Sequence, residues 1–254
     1  MTQSEIKKAA SLAHLKYRKK LGLFLVEGIH PVTELLKSGW QAESLIVSAE
    51  AEKDTQVAAI ISQAMARRMI VHRVTRKIFE HIAATESPQG VMAVTRIPAR
   101  DLPQVASKPR ILIADQIADP GNLGTIIRSA QAFGFGGIIS SVGSTDIYNP
   151  KVVRATQGAL FHIALAGHVT AEEIISTFKP SHKFYALVPK GGEVPLSLRL
   201  PSRFALIVGA EATGISPELA AVSDVRLTIP MPGGAESLNA AVSAAIAMYE
   251  FSRK

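Results

Sequence analysis

Apolar residues recur along this chain in two alternating rhythms, short continuous runs and helical stripes. Residues Ser4 to Lys20 show helical spacing with a polar, basic face, and Leu23–Val26 reads as a short apolar strand. Pro31 stands where a first helical turn tolerates it, and Gly39 ends the helix it opens. Strands are predicted at Leu45–Val47, Met69–His72 and Gly90–Thr95, with helices around Asp54–Ala66 and Arg76–Ile82 between them. This is an alternating α/β unit of about 95 residues, long enough to fold alone. Three prolines within residues 97–109, among polar neighbours, then mark a linker. The expected division is 1–98, a linker at 99–109, and 110–254.

The second unit has the same rhythm. Strands are predicted at Arg110–Ala114, Gly137–Ser140, Phe161–Leu165, Phe184–Val188, Phe204–Val208 and Val225–Ile229. Between the first two, Leu123, Ile126, Ile127, Ala130 and Phe133 make an amphipathic helix closed by Gly134. Asn149 and Pro150 open a helix through Val153 and Gln157, another lies near Ala171–Phe178, and Ser216 with Pro217 opens a short one. The last runs from about Ser237 to Phe251. Near-continuous apolar strands are the signature of a parallel sheet covered on both faces.

Composition narrows the class. Of 254 residues, 47% are apolar and 19% charged, which is globular and sufficient for real cores. No apolar run approaches the roughly 18 residues of a membrane span, and no secretory leader pattern is present. The absence of Cys removes disulfides, thiolate nucleophiles and Cys-zinc sites, and fits a reducing, cytoplasmic compartment. The seven His are scattered without metal-ligand spacing, so no metal is expected. The net charge of +7 is concentrated at the start: Lys7, Lys8, Lys16, Arg18, Lys19 and Lys20 face only Glu5 within the first 20 residues. Such an arm either attracts RNA phosphates, with Lys16, Arg18, Lys19 and Lys20 as the contacts, or is a solvated helix face.

The candidate chemistry lies at three strand-loop-helix junctions, where helix-start N–H groups lack partners and can meet a ligand. In the first, Asn122 is expected at or near a helix N-cap, with Arg128 under two turns further on. Arg128 is either a surface residue or a grip for phosphate or carboxylate. In the second, Gly209 ends a strand and Gly214 permits a tight turn around Glu211 and Thr213. Glu211 either caps a helix or pairs with a cation such as Arg128 or a ligand amine. In the third, Ser237 and Asn239 are both candidate caps of a final helix rich in small residues, which is either buried within one subunit or packed in a dimer. There is no dinucleotide-type GxGxxG, no phosphate-binding GxxxxGK[ST] and no hydrolase GxSxG.

Taken together, Asn122-x-Gly124-x-x-x-Arg128-x-Ala130, Gly209-x-Glu211-x-x-Gly214, and Ile229-Pro-Met231 followed by Ser237-Leu-Asn239 resemble the SpoU/TrmH branch of the SPOUT RNA 2′-O-ribose methyltransferases. The family commonly has Val-Ser after the last Asn, where this chain has Ala240 and Ala241. Tyr17-Arg18, then Phe24 to Gly28, and Gln89 to Val94 resemble the L30e-like substrate-binding domain of members acting on large-subunit ribosomal RNA. The resemblance implies an α/β fold: a C-terminal SPOUT α/β-knot, with a deep trefoil knot and a mostly parallel sheet, preceded by a smaller L30e-like domain. It also implies a homodimer and S-adenosylmethionine held near Val188, Gly209, Ile229, Met231 and Leu238. The catalytic set it implies is Asn122, Arg128, Glu211, Ser237 and Asn239. The expected activity is methylation of a ribose 2′-hydroxyl in 23S ribosomal RNA; transfer-RNA methylation and a non-catalytic RNA-binding role are the alternatives.

Overall fold

A computed structural model describes residues 1–195 and 198–253, which fall into two compact units. One comprises Met1–Ala99 with Tyr148–His162, the other Arg100–Ile147 with Ile163–Lys254.

The first unit begins with α1 (Gln3–Ser11) and α2 (Leu15–Leu21), where one helix was expected over Ser4 to Lys20. Thr2 and Glu5 form a reciprocal capping box on α1. The break that follows has a physical cause. Arg18 is buried at 2% exposure, and its Nη1 donates to the carbonyls of Leu12 and Ala13, each at 2.9 Å, which lie just beyond the end of α1. A bent chain supplies these acceptors to a guanidinium that a straight helix would leave in solvent. Arg18 therefore differs from the other residues expected to touch RNA: Lys16, Lys19 and Lys20 are exposed, whereas Arg18 is spent inside the fold.

Next come β1 (Leu23–Glu27), α3 (Ile29–Lys37), β2 (Ala42–Ser48), α4 (Thr55–Ala66), β3 (Ile70–Val74), α5 (Arg76–Ile82) and β4 (Val91–Arg96). Asp54 caps α4 and Thr75 caps α5, which fixes both helix starts where the sequence placed them. The sheet order is β1-β4-β2-β3, with β4 antiparallel to β1 and β2, and β3 parallel to β2. One face buries Leu23, Leu25, Ile46 and Met92 against Leu12, Phe79 and Ile82.

In the second unit, the segment read as a linker contains a helix, α6 (Leu102–Ala106). Asp101 caps it, Pro103 occupies the first turn where proline costs no hydrogen bond, and Val105 is fully buried. Then follow β5 (Arg110–Ala114), α7 (Pro120–Ala132), β6 (Gly137–Ser141), α8 (Pro150–Ala155), β7 (Ala164–Val169), α9 (Ala171–Phe178), β8 (Lys183–Leu187), β9 (Phe204–Val208), α10 (Pro217–Ala221), β10 (Val225–Leu227) and α11 (Ala240–Ser252). Of these, α8 belongs to the first unit, where it lies against β1, and Tyr148 and Phe161 join Phe24 and Trp40 in an aromatic cluster. The strand expected at Phe161–Leu165 starts later, at Ala164, because Ala159–His162 forms a 3₁₀ turn.

All six strands of the second sheet are parallel, in the order β10-β8-β9-β5-β6-β7. The central strands are buried throughout: Ile111, Ile113, Ile139, Ala205 and Ile207 contribute to one core cluster. In α11 the small residues Ala240, Ala241, Ala244 and Ala247 are buried, and the helix packs on α7. The small-residue face is thus used within the chain, while Val242, Ile246 and Tyr249 on α11 remain exposed.

Replacing Arg18 with Met leaves the buried Leu12 carbonyl and the part-buried Ala13 carbonyl without this donor and is expected to cost about 1–3 kcal/mol. The exposed neighbour change Lys19→Met should stay within about 0.5 kcal/mol. Urea unfolding of the two variants checks this; equal midpoints would show that Arg18 caps nothing of consequence.

Candidate active site

The site is built where β8, β9 and β10 end, at the carboxyl edge of the parallel sheet, the usual place for a ligand in open α/β folds. β9 runs out at Val208 into a turn closed by a two-way backbone bridge: the Ala210 N–H donates to Gly214 at 3.1 Å and the Gly214 N–H to Ala210 at 2.8 Å. This fold-back presses Gly209 against Gly214. A Cβ on Gly209 would lie 2.2 Å from the Gly214 carbonyl carbon, so only glycine fits. The requirement for glycine is internal to the chain, because the close neighbour is the chain's own backbone. Gly214, at φ +71°, supplies the left-handed step that closes the turn. On the next strand, Val188 N–H donates to Leu227 at 2.8 Å, and Thr228 Oγ1 donates to Val188 at 3.2 Å.

These turns enclose a cavity of about 340 Å³, within the range of small-ligand sites. Val188, Gly209, Ile229, Met231 and Leu238, the five residues expected to hold a cofactor, all line it, as do Glu211 and Ser237. The sequence reading missed Thr213 as a lining hydroxyl and Ser243, one turn into α11. Helical spacing from Ala240, which also lines the cavity, could have found Ser243, since residues three apart share a helix face. The walls combine apolar side chains, exposed backbone and a few polar groups, a donor set that suits an adenine ring and a charged tail.

Beside the cavity, three expected residues meet in one network. Glu211 Oε1 accepts from Asn239 Nδ2 at 2.7 Å, from Asn122 Nδ2 at 3.1 Å and from the Ala240 N–H at 3.1 Å. Asn239 Nδ2 also donates to Asn122 Oδ1 at 2.9 Å. Two cap assignments sharpen here. Asp119, rather than Asn122, caps α7 by accepting from the Asn122 N–H at 2.7 Å, which leaves the Asn122 side chain free for the network. Asn239, rather than Ser237, caps α11, accepting from Ala241 at 3.0 Å and Val242 at 3.2 Å, so that helix begins at Ala240. Glu211 therefore bonds the first N–H of α11, as a helix-start carboxylate does, and ties together two amides rather than pairing with Arg128.

Arg128 stands apart. It is exposed on α7, and among the described residues it has no hydrogen bond or ion pair; Glu211 is paired with amides instead. Among the described residues no group of His, Asp and Glu could hold a metal ion, and no helix is long and apolar enough to cross a membrane.

A six-stranded parallel sheet with a turn-lined cavity at its carboxyl edge, in a chain that also carries a separate α/β unit, defines the class, and comparison with known proteins places the chain within it. Residues 109–249 match the SpoU rRNA methylase family and residues 3–93 match the MRM3-like substrate binding domain, so the chain belongs to the SpoU methylase family. The chain is 33% identical to the 23S rRNA (guanosine(2553)-2′-O)-methyltransferase RlmP of Bacillus subtilis, over 92% of its own length and 90% of that protein's. It is 28% identical to the 23S rRNA (uridine(2479)-2′-O)-methyltransferase of Streptomyces viridochromogenes, over 96% and 88%. The crystal structure of an AdoMet-bound rRNA methyltransferase from Sinorhizobium meliloti superposes with a TM-score of 0.87 at 29% identity, covering 100% of this chain and 95% of that one.

Proposed function

We propose that this protein transfers a methyl group from S-adenosylmethionine to a ribose 2′-hydroxyl of 23S ribosomal RNA, in the cytoplasm. The observation that carries the reading is the cavity at the ends of β8, β9 and β10, where all five residues expected to hold the donor converge. S-adenosylmethionine supplies an electrophilic sulfonium methyl. Ile229, Met231, Leu238 and Val188 offer apolar contact to its adenine, and the backbone from Gly209 to Gly214 offers hydrogen bonds. The attacking 2′-oxygen would have to be held roughly 3–3.5 Å from the methyl carbon, in line with the bond from that carbon to the departing sulfur. The chain's contribution is that placement, by the amide network of Asn122, Glu211 and Asn239 at the rim and by Ser237 on the cavity wall.

A guanidinium stays protonated in proteins, so in this reading the hydroxyl proton passes to solvent water rather than to Arg128 as the methyl leaves sulfur. Its free, exposed head suits the phosphate beside the target ribose and the negative charge that develops on the 2′-oxygen. Transfer RNA is the weaker alternative. The N-terminal unit matches a substrate-binding domain, and relatives alike over nearly the whole chain are named for ribosomal RNA. In that unit a polar groove of about 830 Å³ includes His30, Gln89, Arg154 and Gln157 in its lining, and Lys16, Lys19 and Lys20 are exposed on α2. Both features support RNA contact there.

The working form in this reading is a homodimer with the site at the subunit interface. Val242, Ile246 and Tyr249, spaced along α11 and 48%, 37% and 46% exposed, form an apolar stripe that suits a second copy. The same reading threads the chain beyond β10 as a trefoil knot, which tracing a crystal structure checks.

Mapping 2′-O-methyl positions on total RNA from cells with and without the gene tests the function; an unchanged ribosomal RNA map would reject it. Arg128→Ala should lower methyl transfer by about 10²–10³-fold and leave donor affinity within about twofold; turnover at the wild-type rate would remove Arg128 from the mechanism. Replacing Lys16, Lys19 and Lys20 together with Ala should weaken RNA binding by about tenfold or more near 100 mM salt and flatten its salt dependence. An unchanged salt slope would make α2 only a solvated face. Ile246→Glu should shift the chain from dimer to monomer in light scattering, and a dimer that survives it would place the contact elsewhere.

A further inference from the structure

One buried carboxylate lies outside the network at the rim. Asp115 follows β5 directly and is 2% exposed, yet among the described residues no cation pairs with it. Both its oxygens are occupied. Oδ1 accepts from Ser141 Oγ at the end of β6, and Oδ2 accepts from the Ser216 N–H, each at 2.7 Å. Its own backbone N–H donates to Val208 at 2.8 Å.

These bonds bracket a single feature. Val208 is the residue that enters the Gly209–Gly214 turn, and Ser216 lies just beyond its exit. Asp115 thus pins both ends of the turn, one by its backbone and one by its side chain, and anchors them to β6 through Ser141. The anchor is itself held: the Gln116 N–H donates to Ser141 Oγ at 2.9 Å, with Gln116 in the left-handed region at φ +56°. Burying a carboxylate without a cation is costly, and a hydrogen bond to each oxygen offsets part of that cost. The turn those bonds hold forms a wall of the 340 Å³ cavity. The Ser216 hydroxyl contributes nothing to it; Ser216 Oγ is buried without a partner, and only the backbone N–H is engaged.

We propose that Asp115 is a positioning residue for methyl-donor binding: it fixes the Gly209–Gly214 turn in its binding-competent shape without touching the donor. The proposal rests on the donor assignment made for this cavity. Loss of the side chain frees the exit of the turn, so the turn samples shapes that do not bind, and donor affinity falls while RNA affinity does not.

The test compares Asp115→Ala and Asp115→Asn with Asp224→Ala. Asp224 also accepts a backbone N–H in this sheet, from Phe184 at 2.7 Å, but it does not line the cavity, and its loss matches a general destabilisation. Calorimetry with S-adenosylmethionine should show Asp115→Ala weakened by about tenfold or more, the worth of one buried hydrogen bond to a charged group. Asp115→Asn, which keeps an acceptor for Ser216, should recover part of the loss, and Asp224→Ala should stay within about twofold. RNA affinity should be unchanged in all three. Hydrogen exchange of the donor-free protein should quicken at 208–216 in both Asp115 variants and not in Asp224→Ala. Donor affinity unchanged in a folded Asp115→Ala, or equal losses in Asp115→Ala and Asp224→Ala, overturns the proposal. If Asp115→Ala does not fold, Asp115→Asn decides it, and unaltered exchange at 208–216 rejects the brace. Failure of the wild-type chain to bind S-adenosylmethionine sinks the donor assignment instead, and the exchange measurement still decides whether Asp115 holds the turn.

Discussion

The backbone of Gly209 lies so close to that of Gly214 that no side chain fits between them, and the site is arranged around that approach. The fold-back puts Glu211 at the tip of a short loop rather than in a helix, with its carboxylate facing the start of α11. The ends of β8, β9 and β10 lie at the same edge as this turn and line the cavity with it. A parallel sheet makes this possible, since every strand ends on the same side and every following loop is collected there. With a Cβ at position 209 the turn would open and take Glu211 with it.

From Glu211 the order spreads through polar contacts that are individually modest. One carboxylate oxygen accepts three bonds, and the donors come from α7, from the residue capping α11 and from the first residue of α11. Two helix starts, far apart in sequence, are fixed by a single atom. Such a network is informative because a partly satisfied version would cost more than an apolar contact in its place. Arg128 is left out of it. Among the described residues its side chain pairs with nothing, so its charge and its donors face solvent.

The N-terminal unit shows the opposite use of charge. Lys16, Lys19 and Lys20 are in solvent, while Arg18 on the same helix turns inward to cap backbone carbonyls. Composition alone treats the four alike. Arg differs from Lys in carrying its donors on a planar, more weakly hydrated guanidinium, which can be buried against two carbonyls more readily than an ammonium.

Much was legible in the sequence for physical reasons. Caps and apolar runs are local, so Arg76–Ile82, Arg110–Ala114, Ala171–Phe178 and Phe204–Val208 fall where pattern alone put them. The glycines of the second junction and the polar residues of the third marked the cavity because tight turns and helix starts carry strict residue preferences. What pattern could not reach is any choice made between segments distant in the chain. That Asp119 takes the cap and releases Asn122, that Arg18 is spent internally, and that residues 148–162 pack with the first unit were all decided by tertiary structure. So were the strand order β10-β8-β9-β5-β6-β7 and the double hold of Asp115 on one turn. Each depends on which donors and acceptors meet once the chain has folded, and a local signal carries no record of partners a hundred residues away.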